Sequence, residues 1–166
     1  HSYTARDDAG GAVAELASVS KSVTAVCMAH LVDEGLADWS NSLHNFIEPA
    51  PDVTLAELVT HTSGIGPDVT QIAMQGWLGQ NAGEMGHFSR QVLNLINARP
   101  QQDDARGQYA YNNENYAILG LVIEKVTGQP FFEACQQRLD LLARVQPGPG
   151  SGVFLPWGGL VSDLDG

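Results

Sequence analysis

Ser18 and Lys21 stand three residues apart in Ala17-Ser-Val-Ser-Lys-Ser-Val-Thr-Ala25. On a helix that spacing puts both side chains on one face. A serine hydroxyl is a weak nucleophile at neutral pH until a base takes its proton. A neighbouring ammonium, once desolvated, can give up its own proton and serve as that base, or it can hold the alkoxide by charge. A serine at the start of a helix also gains from backbone N–H groups aimed at developing negative charge. The pair therefore reads as nucleophile and activator for acyl transfer. The spacing alone is not specific, because an ordinary solvated helix start can carry it. No histidine shows metal-ligand spacing such as His-Glu-x-x-His, so neither a metal site nor a cofactor is expected. Gly64-Ile-Gly66 lacks the strand-then-helix setting of a nucleotide loop.

Several segments must position these groups. From Leu16 to Leu36 apolar residues recur at helical spacing, with Gly35 as a stop. The stretch 37–53 is turn-rich. Thr54-Leu-Ala-Glu57 reads as a capping box opening a short helix to about Thr60. Residues 68–86 suggest a short helix around Ile72–Leu78 and then a glycine-rich loop. Phe88–Ala98 is amphipathic, 99–110 is a polar loop, and Asn115–Val126 is a helix with Gly128 beyond its end. Pro130 fits the first turn of a further helix reaching about Val145. Pro147-Gly-Pro-Gly-Ser-Gly152 is the strongest linker signal. It divides a helical portion, 1–147, from a terminal portion, 153–166, with 148–152 between them. Val153–Trp157 is then expected as a strand, and Gly158–Ser162 as a turn into a helix.

Composition bounds the function. The 166 residues suit one domain of ordinary size. Eight Lys and Arg against nineteen Asp and Glu give a net charge of −11. That balance excludes a nucleic-acid binder, which needs a basic face, and docking on an anionic membrane. The longest apolar run, Ala117–Ile123, is far short of the roughly 20 residues that span a bilayer. The chain opens at His1 with no Met and no signal-peptide pattern, so a cut there is expected and the compartment is left open. Cys27 and Cys135 lie among apolar residues in helical stretches. Free buried thiols are the favoured reading, and a disulfide stays open.

The ordered set of motifs is more specific than any one of them. Ser18-Val-Ser-Lys21 is followed by Leu58-Val-Thr-His-Thr-Ser-Gly-Ile65. Then comes Tyr109-Ala-Tyr-Asn-Asn-Glu-Asn-Tyr-Ala-Ile-Leu-Gly120, running on into Val122–Gly128. This set closely resembles the serine β-lactamase and penicillin-binding superfamily, in its class C β-lactamase, D-alanyl-D-alanine carboxypeptidase and esterase branch. The resemblance covers most of 16–136, with an echo at Trp157–Leu164. It implies an α+β fold of the β-lactamase/DD-peptidase type, of which this chain is mostly the helical part with an incomplete antiparallel sheet. It also implies a serine hydrolase working through an acyl-enzyme on an ester, an amide or a β-lactam, with a small-molecule or peptide-like acyl substrate. Members of the family are often exported.

Site roles follow from the same resemblance. Ser18 would be acylated, and Lys21 would lower its pKa or accept its proton. Tyr111, in the Tyr111-x-Asn113 motif, would be a phenolate general base that later protonates the leaving group. Asn113 would donate to the substrate amide or steady Lys21. The Ser18 backbone N–H would be half of an oxyanion hole. His61-Thr-Ser-Gly64 is, by resemblance, a structural turn and not a second catalytic pair.

The chain also departs from the family pattern. The third motif, a Lys or His before a Gly on a strand lining the site, has no counterpart, because no Lys follows Lys125 and no His follows His87. The strand pair expected before Ser18 is also not evident, and Pro-Leu-Gly-Met is replaced by Leu141–Val145. A piece of a larger hydrolase, a half that pairs with a complementary chain, or a shortened form each accounts for this. The alternative to a hydrolase is a catalytically incomplete remnant or interaction module pairing with a complementary chain. An uncovered sheet edge would favour homo-oligomers.

Overall fold

A computed structural model describes residues 13–68, 70, 85–99, 103–140, 144–148 and 155–163. Among them the chain is α+β. Five helices surround a shared apolar core, and three short strands form one antiparallel sheet. The helices are α1 (Ser20–Asp33), α2 (Leu55–Val59), α3 (Met85–Asn97), α4 (Glu114–Thr127) and α5 (Phe131–Gln136). The strands are β1 (Val13–Glu15), β2 (Val145–Pro147) and β3 (Leu160–Asp163), in spatial order β1-β3-β2.

Helix α4 is the hub. Every residue from Glu114 to Ile123 is buried, and the helix packs against α1, α2, α3 and α5. A helix buried all round lies inside a core, which accounts for the apolar run at 117–123. Its end is set by Gly128 in the left-handed region (φ +68°), where a side chain would be strained. Gly35 closes α1 the same way, at φ +72°. The capping box on α2 is present in both directions: Thr54 Oγ1 accepts from the Glu57 N–H, and the Thr54 N–H donates to the Glu57 carboxylate. Helix α3 begins three residues earlier than its periodicity suggests and buries Val92, Leu93 and Ile96.

Four expectations are corrected. Cys27 and Cys135 are not free thiols; they form a disulfide joining α1 to α5. Their Cα atoms lie 5.3 Å apart, within bridging range. Only the packing of two helices 108 residues apart brings them together. Helix α5 stops at Gln136 and does not reach Val145. Arg138 folds back to donate to the Ala134 carbonyl, and its guanidinium forks onto Glu34 of the turn after α1. Val145 instead begins β2. Pro147, with no N–H to offer, is tolerated there because β2 is an edge strand.

The remaining two corrections concern the C-terminal stretch. Leu155–Gly158 is a turn, not the end of a strand, because its carbonyls face α1 and not a neighbouring strand. Leu160–Asp163 is a strand, not a helix start. Leu160 and Val161 are buried, and β3 pairs on both sides, with Ala14 opposite Ser162 and Gln146 opposite Val161. Val13–Glu15 supplies one strand before Ser18, where residues 1–14 read as either a frayed tail or a short strand and a strand pair is not evident. The helix expected near Ile72–Leu78, Val153 and Phe154, and most of the Pro-Gly linker lie outside the described residues.

Candidate active site

Ser18 sits on a 3-10 turn, Ala17–Val19, that runs directly into α1. The turn follows β1, and the Leu16 N–H is bonded to the Leu160 carbonyl of β3 at 2.9 Å. The sheet thus anchors the residue beside the nucleophile candidate. Ala17 has φ +44°, a conformation L-residues avoid. Ala17 and His61 are the two non-glycine residues with positive φ among those described, and both adjoin this site. Strain of this kind persists only where the surroundings hold it, and it clusters at functional positions.

Lys21, one turn on, is only 5% exposed. Its Nζ donates to Ser18 Oγ at 3.2 Å and to the Trp157 carbonyl at 3.0 Å. It also lies 4.9 Å from the centroid of the Tyr111 ring and within about 6 Å of the Tyr116 and Trp157 rings. No carboxylate pairs with it among the described residues. A buried ammonium without a counter-charge is expensive. Here a carbonyl, a hydroxyl and aromatic faces compensate it in part, which leaves a positive field directed at the Ser18 and Tyr111 hydroxyls. Two further polar contacts tie α1 to the 155–160 segment. Thr24 Oγ1 donates to the Pro156 carbonyl, and Ser20 Oγ accepts from the Leu160 N–H.

Tyr111 comes from the segment just before α4, 93 residues from Ser18 in the chain. Its hydroxyl lies 2.9 Å from Ser18 Oγ. Burial alone would push the phenol up, but hydrogen bonding with Lys21 and Ser18, together with the Lys21 charge, outweighs it and holds its pKa below the usual 10. Tyr116, buried without that relief, is pushed the other way. Three of the four residues expected from the motifs therefore converge on one oxygen.

Asn113 is placed differently. It is 8% exposed, its Nδ2 donates to Thr70 Oγ1 at 3.1 Å, and its N–H donates to Asp68 at 2.9 Å. The contact with Lys21 is not among the hydrogen bonds of the described residues. Asp68 in turn accepts from the backbone and hydroxyl of Thr70. This cluster fixes the start of α4. Behind it, both carboxylate oxygens of the fully buried Glu114 accept from Arg99 Nη2, at 2.9 and 3.0 Å.

The 61–65 turn is the scaffold beneath these groups. The His61 carbonyl accepts from the Ala110 N–H, and the Thr62 carbonyl accepts from the Gly107 N–H. Ser63 Oγ donates to Asn115 Oδ1, and Asn112 Nδ2 donates to the Ile65 carbonyl. This matches the reading of His61-Thr-Ser-Gly64 as a structural turn, since the Ser63 hydroxyl is buried and committed to Asn115. Sequence reasoning did not find Asp68, Thr70 or Arg99, whose types and positions carry no spacing signal. Trp157 had a signal, the echo at 157–164, but the importance of its carbonyl could not be read from residue type.

Known proteins can now be set beside this geometry. Protein flp of Staphylococcus aureus (strain COL) is 24% identical over 126 residues, covering 70% of this chain and 24% of that protein. Penicillin-binding protein 4* of Bacillus subtilis (strain 168) is 25% identical over 131 residues, covering 78% of this chain and 28% of that protein. The crystal structure of a D-stereospecific amidohydrolase from Streptomyces sp. superposes with a TM-score of 0.75 at 21% identity, covering 96% of this chain and 59% of that one. The chain thus spans about a quarter of the curated relatives it matches and just over half of that solved structure. Residues 8–140, well over half of the chain, match the Beta-lactamase family model, and the fold agrees with that match: the chain belongs to the Beta-lactamase family.

Proposed function

We propose that these residues form the acylation centre of a serine hydrolase that works through an acyl-enzyme on an ester, an amide or a β-lactam. One observation carries the reading: Ser18 Oγ lies 2.9 Å from the Tyr111 hydroxyl and 3.2 Å from Lys21 Nζ. Ionised Tyr111 takes the Ser18 proton as Ser18 Oγ attacks the carbonyl carbon. The Lys21 ammonium stabilises both the phenolate and the oxygen as charge moves between them. Tyr111 then returns the proton to the leaving group, and water releases the acyl chain by the reverse sequence. Asn113 and its Asp68–Thr70 cluster hold the start of α4 so that Tyr111 keeps its place. The buried disulfide supports an oxidising compartment.

A second reading, pairing with a complementary chain or a second copy, has one observation in its favour: β1 and β2 both present an outer edge without a partner strand among the described residues. Gel filtration of the active species separates the two readings. A labelled monomer supports the first, and labelling confined to an assembly supports the second.

The direct test is covalent labelling with a fluorophosphonate and with a fluorescent penicillin, followed by mass mapping. An adduct on Ser18, lost in Ser18→Ala and slowed about 100-fold or more in Tyr111→Phe, is expected. Equal labelling of wild type and Ser18→Ala, or no labelling of either, overturns the proposal.

A further inference from the structure

We infer that His61, as the neutral tautomer protonated at Nε2, is a positioning residue that holds Tyr111 against Ser18; this rests on the acylation reading above. The residues on either side of Tyr111 both donate to His61. The Ala110 N–H bonds the His61 carbonyl at 2.8 Å, and the Asn112 N–H meets His61 Nδ1 at 3.4 Å. The imidazole also packs on the phenol, with ring centroids 4.6 Å apart, and on Tyr116 at 5.1 Å. One residue thus fixes the backbone on both sides of Tyr111, and its side chain packs on the Tyr111 ring.

The tautomer follows from the surrounding network. Ser63 Oγ accepts from the Ile65 N–H and donates its own proton to Asn115 Oδ1, 2.8 Å away. That turns Asn115 Nδ2 toward His61 Nδ1, at 3.3 Å. Nδ1 therefore faces two donors and must carry its lone pair. A proton there would set N–H against N–H. The groups that face the ring agree with this. Lys21 of α1 is the charged one, and Tyr109, Tyr111 and Tyr116 are the titratable ones. Desolvation first, and the Lys21 charge second, hold the imidazole pKa below its usual value. Repulsion between protonated His61 and Lys21 would act directly beside Tyr111. The backbone supplies an independent argument. His61 adopts φ +59°, and a non-glycine residue is kept there only where its contacts over-determine it.

The test uses the full chain and three readouts. In wild type at pH 8, 15N NMR of His61 is expected to show Nε2 protonated and Nδ1 bare. His61→Phe keeps a ring but removes the acceptor. It should slow Ser18 labelling about tenfold or more and move the Tyr111 titration toward 10, followed by 13C-tyrosine NMR with Tyr111→Phe for assignment. His61→Asn keeps an acceptor, tolerates positive φ, and should recover most of both. A merely structural role would lower the melting temperature without moving the Tyr111 titration. The inference is overturned by a proton on Nδ1, by His61→Phe staying within twofold of wild type with an unchanged Tyr111 titration, or by His61→Asn matching His61→Phe. If wild type labels no faster than Ser18→Ala, the acylation reading falls, while the His61 tautomer and the Tyr111 titration still decide the positioning role.

Discussion

Removing the buried Cys27–Cys135 disulfide should destabilise the protein strongly. Its sequence separation is 108. In the chain-entropy account, opening a loop of that size returns about 4.8 kcal/mol of conformational freedom to the denatured state. Both sulfurs are fully buried, so Cys27→Ala/Cys135→Ala also loses packing worth about 1 kcal/mol per site. The double variant should therefore lose about 5–7 kcal/mol, against a total stability of about 5–15 kcal/mol for a typical domain. Urea unfolding followed by tryptophan fluorescence separates the two contributions. Oxidised against reduced wild type reads the cross-link, and reduced wild type against the double variant reads the lost burial. Cys27 lies on α1, the helix that also carries Lys21, so Ser18 labelling should slow as α1 loosens. A loss below about 1 kcal/mol on reduction would refute the reasoning, as would two titratable thiols in the unfolded, unreduced protein.

Three other outcomes follow from the same structure. Lys21→Met should leave the melting temperature unchanged or raise it, because a buried unpaired ammonium is replaced by an apolar chain, yet it should abolish Ser18 labelling; a large thermal loss would contradict this. Arg99→Ala should cost about 2–3 kcal/mol in urea unfolding, because Glu114, at 0% exposure, loses the charge-assisted hydrogen bonds to both its oxygens, whereas Arg99→Met/Glu114→Leu together should cost less. Glu57 is held at about 2 by its bond to Arg106, with the Thr54 donors helping, against an ordinary value near 4.5. As pH falls, the unfolded chain binds that proton first, so this contribution is present above about 4.5 and is lost as pH drops toward 2; Glu57→Gln should flatten unfolding free energy across that window.

The motif residues and the helical half were legible because both depend on local order. Ser18 and Lys21 share a helix face by spacing alone, the Thr54–Glu57 box is a four-residue device, and Gly35 and Gly128 stop helices through their own φ. The sequence order of the motifs was enough to name the family and to pair Ser18 with Tyr111, 93 residues apart. Tertiary structure decided what depends on non-local contact. A strand such as Leu160–Asp163 is chosen by partners at β1 and β2, not by its own pattern, and the disulfide depends on two helices meeting across 108 residues. The same holds for the electrostatics of the site. The Lys21 charge is directed at the Ser18 and Tyr111 hydroxyls because packing buries it against the Trp157 carbonyl with no carboxylate in reach among the described residues. The proposed role of His61 likewise rests on the fold, which sets its carbonyl and its Nδ1 against the N–H groups on either side of Tyr111. Burial and counter-charge are properties of a place in the fold, and residue type states only which groups can exploit them.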